Sequence, residues 1–252
     1  MNKKNSVEAL LKSIETGERE PAMIINPHKY IQHNLGVADG LAGFGALLHQ
    51  LPPNSAKVNV ARVFQDGDYV FTHTEYDFFG PKIGFDIFRF EGDQIVEHWD
   101  NLQETVSMTP SRHTMIDGAV AITDLDKTES NKELIKRFID EIFLQGMMDR
   151  LAGYYDGDNY IQHNPHVPDK LSGLGKALEA MAEQGITFTY KNIHKILGEG
   201  NFILAVSEGA YGDKPTSFYD LFRIENGKIA EHWDTIETIP SKDKWKNSNG
   251  KF

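Results

Sequence analysis

"DIFRFEGDQIVEHWD" occupies residues 86–100 and "DLFRIENGKIAEHWD" occupies residues 220–234, with nine of fifteen positions identical. Each alternates apolar and polar residues on both sides of a glycine-containing turn, the pattern of an antiparallel hairpin, and Asn226-Gly227 is a strong two-residue turn signal. Alternation sends Asp86, Phe88 and Phe90 to one face of the strand, with Ile87 and Arg89 on the other. In the next strand Val96, His98 and Asp100 share a face, and Ile95, Glu97 and Trp99 stand opposite. The second hairpin repeats this with Asp220, Phe222 and Ile224, with His232 and Asp234 together, and with Trp233 opposite.

Upstream of each hairpin the likeness continues. "YIQHN" at 30–34 returns at 160–164, and "GLAGFGALL" from residue 40 is echoed by "KLSGLGKAL" from 170, both 130 residues apart, whereas the hairpins are 134 apart. The chain therefore carries two copies of one domain in the same order, each of ordinary domain length rather than a solenoid unit. Residues 105–128, "TVSMTPSRHTMIDGAVAITDLDKT", hold turn formers without a sustained period. The expected boundaries are a first domain at 1–107, a linker at 108–128 and a second domain at 129–252.

In the second copy "ESNKELIKRFIDEIFLQ" places Leu134, Ile135, Phe138, Ile139, Ile142 and Phe143 on one helical face, with Ser130 as the expected N-cap and Glu133 completing a capping box. A shorter apolar helix follows "YIQHN" in both copies. Period-two stretches come next, at Phe188–Leu197, Asn201–Glu208, Phe218–Ile224 and Lys228–Thr235. Helices followed by an antiparallel meander make each copy an α+β layer structure.

Of 252 residues 40% are hydrophobic and 25% charged, enough to bury two ordinary cores. The net charge of −11 argues against nucleic acid or an anionic membrane as partner, since both are polyanions. No apolar run approaches the ~20 residues that span a bilayer, and the first residues lack the apolar core of a secretion signal. The absence of cysteine removes thiolate metal sites and cysteine nucleophiles and fits a reducing compartment. A cytoplasmic protein is expected.

The order of helices, "YIQHN", a glycine-rich short helix, and Asp-x-Phe-Arg, turn, Ile-x-Glu-His-Trp-Asp resembles the SnoaL-like branch of the NTF2-like superfamily, which includes polyketide cyclases and predicted aldol-condensation enzymes. The resemblance covers most of both copies. It implies two tandem cone-shaped domains, each a curved antiparallel sheet wrapped around helices with a pocket at the open end. It also implies that the two domains pair as a dimer of such domains would, with further oligomers open. By position, the acid/base aspartate of the cyclases falls at Asp100 and Asp234. A second polar residue falls at Asp86 and Asp220, where those cyclases can have histidine.

Catalytic candidates are thus Asp100, Asp234, Asp86 and Asp220, with His98 and His232 as proton relays. A carboxylate among apolar side chains has its pKa raised by desolvation toward useful acid/base values. Tyr30, His33, Tyr160 and His163 are candidates to orient a carbonyl oxygen, with Trp99 and Trp233 as apolar contacts and His73, beside Glu75 and Asp86, as an extra group in the first pocket. The bland alternative is a strand-end cluster in which imidazole and carboxylate satisfy one another. No HExxH helix, G-x-S-x-G elbow, Walker loop or G-x-G-x-x-G turn is present, so neither a metal nor an organic cofactor is expected. The partner expected is a small or medium apolar carbonyl compound. The rival from another class is a noncatalytic ligand-binding or assembly module, because this fold hosts both.

Overall fold

The computed structural model describes residues 2–52 and 55–252. The chain divides into two compact units: residues 1–105 with 239–252, and residues 106–238. The segment read as a linker thus packs as part of the second unit. The segment that follows the last strand of the second copy packs with the first unit.

In unit 1, helix α1 (Lys3–Thr16) and helix α2 (Gly40–Leu48) precede strands β2 (Lys57–Asp66), β3 (Tyr69–Asp77), β4 (Pro81–Glu91) and β5 (Gln94–Glu104), with the two-residue β1 at Ile31–Gln32. The sheet order is β1-β5-β4-β3-β2. All pairs are antiparallel except β1 with β5, which places Gln32 beside His98. Val7, Leu10 and Leu11 of α1 pack with Val58, Val70, Tyr76, Phe88, Phe90 and Ile95 of the sheet. An amphipathic helix so placed hides its apolar stripe and one sheet face together. Asn2 caps α1 by accepting from Asn5 N at 3.2 Å, and Gly17 ends it in the left-handed region.

Unit 2 repeats the plan with α3 (Thr128–Phe138), β6 (Ile161–Gln162), α4 (Leu171–Glu183), β7 (Phe188–Glu199), β8 (Phe202–Tyr211), β9 (Lys214–Glu225) and β10 (Lys228–Thr238) in the order β6-β10-β9-β8-β7. Ile135, Phe138, Ile139 and Ile142 are buried as the helical period predicts. Ser130 is not the N-cap: α3 begins two residues earlier, and the Ser130 hydroxyl donates to Lys127 O at 2.8 Å. Past Phe138 the helix widens to a π turn over Ile139–Leu144, where Phe143 stacks on Tyr190. Asn226 and Gly227 both have positive φ, at 50° and 72°, as the tight hairpin requires.

Register shifts between Arg89 and Phe90, and between Ile229 and Glu231, mark bulges that bend each sheet around its helices. In the short helices only one glycine of each pair serves close packing. A Cβ on Gly43 would lie 1.8 Å from Ala38 O and one on Gly173 3.1 Å from Pro168 O, but Gly45 and Gly175 face nothing within 4 Å. Among the described residues no helix is long and apolar enough to cross a membrane.

Candidate active site

Register brings the catalytic candidates together. Asp86 lies directly across from Asp100 on β4 and β5, and Asp220 across from Asp234 on β9 and β10, so each pair of carboxylates shares the face turned toward the helices. All four, with His98 and His232, are buried.

One polar chain organises each site. The side-chain oxygen of Gln32 accepts from Asn34 N at 2.8 Å, and that of Gln162 accepts from His163 N and Asn164 N at 2.9 Å each. Backbone N–H groups cannot accept, so they fix which end of the amide is oxygen. That oxygen also meets His98 Nδ1 at 3.0 Å, and its counterpart meets His232 Nδ1 at 3.0 Å, so each imidazole donates from Nδ1. The remaining nitrogen, Nε2, is 3.0 Å from Asp86 Oδ1 in unit 1 and from Asp220 Oδ1 in unit 2, leaving one proton shared between ring and carboxylate.

The other oxygen of that carboxylate takes a tyrosine hydroxyl: Tyr76 at 2.6 Å for Asp86, Tyr190 at 3.1 Å for Asp220. The two tyrosines are not repeats of one another. Tyr76 stands on β3, whereas Tyr190 stands on β7, the counterpart of β2, so adjacent strands supply the same bond. Asp86 and Asp220 are therefore fully occupied. Asp100 and Asp234 are held through one oxygen only, by Asn34 at 2.5 Å and Asn164 at 2.6 Å, and the buried Oδ1 of each makes no hydrogen bond.

Surroundings tune these groups. Burial pushes the Asp234 carboxyl up to about 6, with the charge of Asp220 adding to it against His232 and the Asn164 amide. Burial opposes a charge on His232, but its bond to Asp220 and the nearby carboxylates outweigh that and hold it above the usual range. In unit 1 the buried Lys251 brings Nζ to 3.8 Å from Asp100 Oδ1. Burial, with the charges of Asp100 and Asp86, holds the Tyr30 phenol far above its usual range, so it is a neutral donor. Burial does the same for Tyr160, whose oxygen accepts from Gln162 Nε2 at 3.0 Å.

A cavity of about 180 Å³ opens over the site of unit 1. Its polar lining is Tyr30, Gln32, Asn34, Asp86, His98 and Asp100, and its walls are apolar, among them Leu10, Phe44, Phe78 and Phe88. A mostly apolar hollow with a few convergent polar groups is the usual form of a small-molecule site.

Five of the expected contact residues lie elsewhere. His33 and Trp99 stack at 4.7 Å on the opposite sheet face, and His163 and Trp233 do the same in unit 2. Each histidine there meets a glutamate through Nε2 at 3.0 Å, Glu97 or Glu231, which in turn takes an arginine, Arg89 or Arg223, at 2.7 Å. Burial alone would raise Glu231, yet the bonds from His163 and Arg223 hold it below the usual carboxylate range. His73 pairs across the sheet with Phe85 and meets Arg62 at 3.1 Å; Thr72, not His73, pairs with Asp86 and shares its face. Sequence reasoning passed over Gln32, Gln162, Asn34, Asn164 and Tyr76. The signal for the first four was the "YIQHN" motif itself, since Gln and Asn alternate with His along the chain and so face the site when His does not.

Donor atoms of Asp86, His98 and Asp100, and of Asp220, His232 and Asp234, lie within 4.8 Å of one another. Most of these atoms already serve the hydrogen-bonded chain.

No family profile and no curated protein matches the sequence. Solved structures similar to it include a SnoaL-like polyketide cyclase from Agrobacterium tumefaciens (14% identity, TM-score 0.34, covering 42% of this chain and 91% of that one). An NTF2-like protein from Burkholderia xenovorans has 17% identity and TM-score 0.35 over 44% of this chain and 92% of its own. A protein of cystatin-like fold from Xanthomonas campestris has 22% identity and TM-score 0.37 over 47% and 98%. Helices packed against a five-stranded sheet, twice in sequence, make this chain a tandem of two α+β domains of one topology.

Proposed function

We propose that the chain catalyses proton transfer next to a carbonyl in a small, largely apolar compound, chemistry of the aldol, cyclase or isomerase type. The observation that carries this reading is the half-occupied carboxylate. Asp100 and Asp234 are buried, oriented by an asparagine, and keep one oxygen without a hydrogen bond. We read that oxygen as the base that takes a proton from a carbon acid, and in unit 1 Asp100 lines the cavity. Tyr30 is a neutral donor lining the same cavity, suited to the oxygen on which negative charge develops. Asp86 with His98 and Tyr76, and Asp220 with His232 and Tyr190, hold the neighbouring charge and proton in place. Positioned proton transfer of this kind contributes ~10²–10⁴-fold in rate.

The test needs no knowledge of the product. Small cyclic ketones and β-diketones incubated with the protein in D2O should lose their α-proton NMR signals faster than in buffer, and Asp100→Asn with Asp234→Asn should abolish the excess. A panel that binds but exchanges at the buffer rate would favour the noncatalytic binding module.

A further inference from the structure

Away from these sites, on the other face of the second sheet, two imidazoles converge on one carboxylate. Asp117 Oδ1 lies 3.0 Å from His163 Nδ1, and Asp117 Oδ2 lies 3.9 Å from His113 Nδ1. Thr114 O is also 2.8 Å from His163 Nδ1. The far nitrogen of each ring has its own carboxylate: Glu231 Oε1 at 3.0 Å from His163 Nε2, and Asp169 Oδ2 at 3.3 Å from His113 Nε2. Because Nε2 of His163 faces Glu231, two oxygens converge on Nδ1, a place that calls for a cation, either a proton or a metal ion.

We propose that His113, Asp117 and His163 bind a divalent transition metal ion, zinc by donor type, with Thr114 O or water completing the shell. Two imidazole nitrogens and a carboxylate oxygen suit zinc. Carboxylates on the outer ring nitrogens fix tautomer and orientation, as partners of metal-bound histidines do. Tetrahedral ligands at bonds of ~2.0–2.1 Å stand roughly 3.4 Å apart, and the three donors lie within 4.8 Å of one another, so binding draws them together. The loop is built for the position. Trp233 Nε1 donates to Asp117 O at 2.8 Å, Asp117 N donates to Thr114 Oγ1 at 3.0 Å, and Thr109 Oγ1 donates to His113 O at 2.8 Å. Gly118 has φ of 98°, and a Cβ there would lie 2.2 Å from Glu231 Oε1. Asp117 is half exposed, which leaves an entry path. Among the described residues unit 1 has no such cluster: His33 keeps its glutamate and tryptophan but meets Gly250 O, and the aspartate matching Asp169, Asp39, takes the Asn249 amide.

The proposal is independent of the proton-transfer reading and is tested without any activity. Zinc chloride titrated calorimetrically into the EDTA-stripped full chain should show one site of micromolar or tighter Kd. His113→Ala and Asp117→Asn should each weaken it at least 10-fold without lowering Tm in chelator. Nickel should quench the emission of Trp233, which stacks on His163, in a variant carrying Trp99→Phe and Trp245→Phe, and zinc should reverse the quenching. No binding to the wild type, or binding that both substitutions leave unchanged, overturns the assignment; the second outcome would move the ion to the buried Asp-His-Asp groups.

Discussion

Unit 1 and unit 2 carry the same polar chain from backbone amide through glutamine, histidine and aspartate, but they surround the half-occupied carboxylate differently. Around Asp100 there is room, and a lysine stands 3.8 Å away. Around Asp234 burial has lifted the pKa to about 6, and the π turn drives Phe143 onto Tyr190, which stacks in turn on Phe218. Duplication copied the proton wiring, while the packing around it diverged. A raised pKa makes Asp234 a stronger base than an ordinary aspartate, but basicity changes a proton-transfer rate by less than room for the substrate does.

The largest effect expected follows from that argument. Asp100→Asn should remove most of the α-proton exchange, ~10²–10⁴-fold, and Asp234→Asn much less; NMR exchange rates of the two variants decide it, and equal losses would show that access does not distinguish the units.

Stability against pH probes the same difference. With a folded pKa of about 6 against an ordinary 3.8, Asp234 binds its proton more tightly in the folded state, so its stabilising effect is full below pH ~4 and is lost as pH rises toward 6. His232, also held above its usual value, extends the decline above pH 6.5. Asp234→Asn should therefore stabilise the protein at pH 7, by up to ~3 kcal/mol if the full shift counts, and flatten the acid side of the profile. Chemical denaturation from pH 4 to 8 in chelator measures both, and destabilisation at pH 7 would mean that the ionised carboxylate is a structural necessity.

Opening unit 2 is the third way to test the contrast. Phe143→Ala removes the ring stacked on Tyr190 and should cost about 2 kcal/mol, below the value for a fully buried ring, while raising the exchange that depends on Asp234. Exchange unchanged by that space would mean that unit 2 is inactive for another reason. The smallest effect is expected from Lys251→Met, about 1 kcal/mol, because the pair with Asp100 is longer than a hydrogen bond though buried. Loss of as much as 4 kcal/mol would make Lys251 part of the frame of unit 1.

Much of this was legible beforehand. Repeated motifs and the apolar period of residues 134–143 announced two α+β copies, and strand parity put Asp86 with Asp100 and His98. Parity failed for the "YIQHN" residues because a two-residue strand followed by a turn does not say which alternate side chains face inward. It failed for His73 because Asp86 was placed on its face without knowing that Thr72 is the residue across the ladder. The tyrosine that braces each inner aspartate was invisible for a different reason. Gly209 stands where Tyr76 would repeat and Val58 where Tyr190 would, so an alignment of the copies hides a bond that geometry restores.

The segment after β10 finishes unit 1 across more than 200 residues of chain. Lys246 N donates to Leu35 O, Asn247 donates to Asn34 O and Val37 O, and Asn249 donates to Gln32 O. On a ribosome, then, the first unit begins to fold before the second exists and is completed after it. These contacts span 210 to 217 residues of chain, and the entropy of closing so long a loop opposes their early formation. Until they form, the site of Asp100 lacks Lys251, so in the order of synthesis the first-made site is the last to be complete.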